Sequence, residues 1–187
     1  VYYWKARIAT EKKDWVFAEM YYWKAILGFN MLWNSKSHGY FDIQYYLCDS
    51  IMGLLRSYYG SKQYWRAEKL YEMAEKLKNE GVDRRGIIGI YTALAKNGLK
   101  AKAFDFTEKS SRTGLELCHG FSGHDIAEAE AQILWVMAQN YHAQGLRDNA
   151  FNYGSQAMNL FRKCYQDQPE KIHNFQEQLN GWKSVCK

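Results

Sequence analysis

Apolar residues recur at three- and four-residue intervals along almost the whole chain, and glycines and short polar stretches separate the runs. That spacing is the period of an amphipathic helix. It predicts helices over about 2–12, 15–34, 40–60, 63–79, 84–97, 100–118, 124–144, 147–167 and 170–184. Breaks are expected at Lys13-Asp14, Ser35–Gly39, Gly60–Lys62, Gly81–Asp83, Gly98, Gly120–Gly123, Gly145 and Gln168-Pro169. Asp14, Asp83 and Ser122 are placed to cap following helices by accepting a free backbone N–H. Pro169 suits the first turn of the last helix, where a missing N–H costs nothing. Helices joined by turns this short pack as antiparallel neighbours, in a bundle or an α-solenoid.

Internal similarity favours the solenoid. Four segments carry a small residue, a bulky one four later and a second small one seven later: Ala18/Tyr22/Ala25, Ala67/Tyr71/Ala74, Ala103/Thr107/Ser110 and Ala150/Gly154/Ala157. Small residues seven apart share one helix stripe and let a partner helix approach closely. Upstream stand Ile51, Leu54, Leu55 and Tyr58 in the second segment, Ile87, Ile90, Leu94 and Gly98 in the third, and Leu134, Met137, Ala138, Tyr141 and Gly145 in the fourth. The pattern resembles the tetratricopeptide repeat, a helix–turn–helix unit, over about residues 1–160. Ala138, Tyr141, Gly145, Ala150 and Ala157 make 134–157 its best match. The repeat proline is absent, Lys5 fills an apolar slot, and the anchor alanines lie 49, 36 and 47 residues apart, as expected of a long-helix variant. The resemblance implies an all-α solenoid of about four antiparallel pairs (units near 1–36, 38–80, 84–120 and 122–168), with a C-terminal capping helix over 170–187.

Composition supports the fold class and narrows the chemistry. Among 187 residues only 19 are Val, Ile or Thr, too few for a large sheet, and one is proline. The net charge of +5 is scattered, without the concentrated basic face of a typical nucleic-acid binder. Cys48, Cys118, Cys164 and Cys186 lie far apart, which reads as four free thiols in a reducing, intracellular compartment. No apolar run reaches the roughly 18 residues of a membrane span. The chain begins at Val1 and reads as an excerpt or a processed product.

Nothing in the sequence reads as catalytic. His119 and His124 flank a glycine-rich turn but lack further zinc ligands, and His142 and Asp148 have no nucleophile beside them. Gly86 and Gly89 do not follow a strand, so they form no phosphate loop. No enzyme activity, metal or cofactor is expected. The first 46 residues hold 14 of the 31 aromatics, and neighbouring aromatics such as Tyr21-Tyr22-Trp23 must serve two faces of their helix.

The resemblance also implies an inner groove lined by the first helix of each pair. Carried over residue by residue, its positions are Asp49, Met52, Arg56 and Tyr59, then Arg85, Ile88, Thr92 and Lys96, then Gln132, Trp135, Gln139 and His142. Such a mixture suits an extended peptide, with Trp135 as an exposed anchor. The expected function is non-enzymatic binding of a protein or peptide, as adaptor, scaffold or regulatory sensor. The alternative is single-stranded nucleic acid held by Arg56, Arg66, Arg84, Arg85, Lys96, Lys100 and Lys102 with nearby aromatics.

Overall fold

A computed structural model describes residues 1–35 and 40–184. The described residues form nine α-helices, one 3-10 helix and no strand, so the chain is all-α. The helices are α1 (Tyr2–Glu11), α2 (Trp15–Asn34), α3 (Tyr40–Gly60), α4 (Tyr71–Asn79), α5 (Arg84–Ala101), α6 (Phe104–Cys118), α7 (His124–Ala143), α8 (Arg147–Cys164) and α9 (Pro169–Ser184), with the 3-10 helix at Tyr64–Leu70. Each helix packs on the next in sequence, and the odd-numbered helices also touch one another, α1 on α3, α3 on α5 and α5 on α7. Residues 36–39 of the break expected at Ser35–Gly39 and the thiol of Cys186 lie outside the described residues.

One turn closes all four pairs. Lys13, Lys62, Lys102 and Gly145 take left-handed backbone angles, with φ of 57°, 59°, 58° and 78°. Each donates its N–H to the carbonyl three residues back, on Thr10, Tyr59, Leu99 and His142. The next residue in each turn donates to Ala9, Tyr58, Gly98 and Tyr141, five back, and all eight bonds measure 2.9–3.3 Å. This pair of bonds satisfies carbonyls that a helix end otherwise leaves free.

Counting from that turn aligns the units physically. Five residues on stand Ala18, Ala67, Thr107 and Ala150, each fully buried. Four further are Tyr22, Tyr71, Ser111 and Gly154, and three beyond those are Ala25, Ala74, Gly114 and Ala157, all buried. The third unit is therefore one helical turn later than the sequence pattern indicates: its triplet is Thr107/Ser111/Gly114, and Ala103 lies in the turn itself. The corrected anchors are 49, 40 and 43 residues apart.

Gly98 caused the misreading. It lies inside α5, not at its end, because a Cβ there would stand 2.7 Å from both Phe106 and Thr107 Oγ1. The glycine serves a close helix approach, and Lys102 makes the turn. Two further expectations change. The predicted helix over 63–79 begins as a 3-10 helix, whose three-residue period aligns Ala67 and Leu70, both fully buried. The N-cap of α7 is Gly123 rather than Ser122, whereas Asp14 and Asp83 do cap their helices, accepting from the N–H of Phe17 and Gly86.

Buried amides join neighbouring units. Asn97 Nδ2 donates to the carbonyl of Leu55 on α3 at 3.2 Å, and Asn140 Nδ2 to that of Phe104 at 3.2 Å. Both asparagines stand five residues before the left-handed turn residue.

The repeated turn yields a paired expectation. Gly145 has open space around its Cβ position, so Gly145→Ala tests conformation alone and should cost about 1 kcal/mol in urea unfolding. Lys102→Gly should instead raise stability by about 0.5 kcal/mol, the left-handed strain relieved less the added chain entropy.

Candidate functional site

The corrected register defines the side chains that the odd-numbered helices present in common rows. Six residues before the turn residue stand Arg7, Arg56, Lys96 and Gln139. Three before it stand Thr10, Tyr59, Leu99 and His142, and ten before it Tyr3, Met52, Thr92 and Trp135. A row of cations followed by an amide thus crosses successive helices. Arg7 and Arg56 are exposed, and Lys96 and Gln139 are half-buried.

Of the positions expected in the groove, Asp49, Met52, Arg56, Tyr59, Lys96, Gln132, Gln139 and His142 keep some solvent access. Three do not suit their expected role. Ile88 is 1% exposed and packs with Cys118, Ile126 and Ile133 in the core. Thr92 is buried and its hydroxyl returns to the Ile88 carbonyl at 2.8 Å. Trp135 is only 5% exposed, because α9 lies over it: Trp182 stacks on it at 5.3 Å and Phe175 meets it edge-on at 5.0 Å. It is a core residue, not an exposed anchor. Arg85 is exposed but pairs with Asp125 at 3.4 Å, and in the corrected register it belongs to none of these rows. Leu99, which sequence reasoning missed, belongs in its place; the misplaced turn at Gly98 hid it.

The accessible groups form a continuous surface. Arg56 and Tyr59 of α3 share a depression with Ala93, Lys96 and Asn97 of α5. Arg56 Nη2 lies 3.9 Å from Asp49 Oδ1, which also accepts, through its other oxygen, the Tyr3 hydroxyl at 2.7 Å. Beyond Lys96 the depression deepens into a cavity of about 490 Å³ between α5, α7 and α9. Lys96 Nζ donates to Gln132 Oε1 at 2.7 Å, and Gln132 Nε2 donates in turn to Glu128 Oε1 at 3.1 Å. Burial holds the Lys96 ammonium below its ordinary pKa; Glu128 opposes that shift and Arg56 adds to it.

Several other cations are committed within the chain. Arg66 binds Glu19 Oε2 at 2.7 Å and stacks on Tyr58, and Arg84 donates to the carbonyls of Leu117, Glu116 and His119 while covering Phe121. These two tie helix ends together and Arg85 pairs with Asp125, which leaves Arg56, Lys96, Lys100 and Lys102 of the set considered for nucleic acid. His124 Nε2 sits 2.9 Å from the Cys164 carbonyl, and His142 stacks on Trp182 at 4.7 Å. No cluster of three metal-ligating side chains occurs among the described residues.

The N-terminal aromatics divide as their spacing requires. Tyr3 and Tyr22 are buried, and Trp23 Nε1 donates to the Tyr58 hydroxyl at 3.3 Å. Tyr2, Trp4, Phe17 and Tyr45 remain about half exposed.

Comparison with protein-family models, curated proteins and solved structures finds no match to this chain. No helix among the described residues is long and apolar enough to cross a membrane.

Two outcomes follow from this placement. Trp135→Ala should cost about 3–5 kcal/mol of stability in thermal or urea unfolding, the range for emptying an indole-sized core site. Thiol labelling should separate the described cysteines. Burial pushes Cys48 up to about 12 and Cys118 up to about 11, so at neutral pH both should resist reagent until the chain is unfolded. The half-buried Cys164 should label first.

Proposed function

We propose that the chain is a tetratricopeptide-like α-solenoid that binds a protein or extended peptide along the face made by its odd-numbered helices, acting as an adaptor, scaffold or regulatory sensor. The observation that carries this reading is the row Arg7, Arg56, Lys96 and Gln139, one residue per helix at the same register position. Helices packed side by side stand roughly 10 Å apart, and an extended segment advances about 3.3 Å per residue. One ligand residue in three therefore faces each successive member of the row. Cations set in that rhythm favour a segment carrying carboxylates, and Tyr59 and Met52 offer apolar contact between them. A preformed surface of rigid helices lowers the ordering cost of binding a flexible chain.

Peptide display on the immobilised protein tests the reading. Enriched peptides should be acidic. Arg56→Glu should weaken their binding by about tenfold or more, and the loss should shrink as salt rises. Lys163→Glu on α8, an exposed residue outside these rows, should change affinity less than twofold. Peptides that bind Arg56→Glu as tightly as the parent would place recognition elsewhere. Tight binding of random single-stranded RNA, lost steeply with salt, would transfer the function to nucleic acid.

A further inference from the structure

The cavity between α5, α7 and α9 has a lining unlike the open groove that leads to it. Its cations are Lys96, Lys100 and Lys171, its amides Gln132, Gln139 and Gln178, and its apolar walls include Trp135, Phe161, Phe175 and Leu99. No carboxylate lines it. Its volume of about 490 Å³ falls within the range of small-molecule sites, which are typically 300–1,000 Å³.

Lys96 is the chemically informative group. Its ammonium is largely withdrawn from water and hydrogen-bonds the neutral oxygen of Gln132, not a carboxylate. Glu128, the nearby acid, makes no ion pair with Lys96 and accepts from Gln132 Nε2 and the Tyr165 hydroxyl on one oxygen, Oε1. A desolvated cation held by one neutral acceptor gains more from an incoming anion than an exposed lysine does, because less water screens the pair. The aromatic walls supply the other half of the requirement. Trp135 is stacked on Trp182 and only backs the wall, whereas the half-buried Phe175 and Tyr165, held by Phe161, supply exposed ring surface at little ordering cost.

We propose that this cavity binds a small organic anion with a flat apolar body, its acidic group at Lys96 and its body against Leu99, Tyr165 and Phe175. The site shares Lys96 and Gln139 with the row of the peptide reading and Tyr59 of α3 at its rim, but it does not rest on that reading, because its ligand is a free small molecule held mainly by α5, α7, α8 and α9. Closure by α9 makes ligand binding stabilise the C-terminal end of the molecule.

Fluorescence titration with anilinonaphthalene sulfonate and its uncharged parent phenylnaphthylamine tests the site, since the two share a ring system and differ in the charge. The sulfonate should bind the parent protein one to one, about tenfold more tightly than the uncharged probe. Lys96→Met should abolish that preference while changing affinity for phenylnaphthylamine less than twofold. Leu99→Trp, which narrows the cavity and keeps the charge, should weaken both probes. Far-ultraviolet circular dichroism of both variants should match the parent, with Lys96→Gln as a second neutral form if Lys96→Met is unfolded. Displacement of the sulfonate by naphthoate but not by oligoglutamate assigns the site to a free ligand; displacement by oligoglutamate alone would overturn that assignment. Failure of either probe to bind, or equal binding of both probes in parent and variants, would overturn the site itself. In the latter case the probes lie on exposed apolar side chains such as Trp4, Val16 and Met31.

Discussion

Close approach of the two helices in each pair is the constraint on which the rest of this structure depends. It requires a short turn and, five residues after the left-handed turn position, a side chain small enough to admit the partner helix. Ala18, Ala67, Thr107 and Ala150 meet that requirement with no exposed surface. Once that distance is set, the row to which every other residue on the odd helices belongs follows from the helical period. Core and accessible surface are thus fixed by one local geometry repeated four times.

The helical pattern, the short turns and three of the four small-residue triplets were legible in the sequence because they rest on period and side-chain size. The third triplet was not. A glycine signals either a left-handed turn or a close approach, and only the surroundings distinguish the two. Gly98 faces Phe106 and Thr107, while lysine fills the left-handed position at three of the four turns. Lysine carries no sequence signature for that conformation, so the register slipped by one helical turn and put Arg85 and Ile88 among the expected inner positions in place of Gly89 and Leu99. Trp135 was misplaced for a different reason. Its helix and row were read correctly, but its exposure depends on α9, and no local pattern states where a terminal helix will lie.

Electrostatics divides the cations by the room each has. Arg66 and Arg84, at helix junctions, find carboxylate or carbonyl partners and act as ties. Arg56 and Lys96 project from a turn or more inside the C-terminal ends of their helices, where neighbouring backbone is already hydrogen-bonded within itself. Arg56 stays in water beside Asp49, whereas Lys96 is drawn under the shelter of α9 with an amide for company. The same row therefore presents a solvated charge at one helix and a desolvated charge at the next, a difference in chemical character that identical register alone does not create.

The indole rings of Trp135 and Trp182 lie 5.3 Å apart and 16° from parallel. Two chromophores so close do not absorb independently; their strong ultraviolet transitions mix into a pair of states with circular dichroism of opposite sign. That signal overlaps the band from which helix content is read, so the optical spectrum of this protein is not that of its backbone alone. It also gives the seating of α9 a spectroscopic handle, because the coupling vanishes when either ring moves away while the helices themselves stay intact.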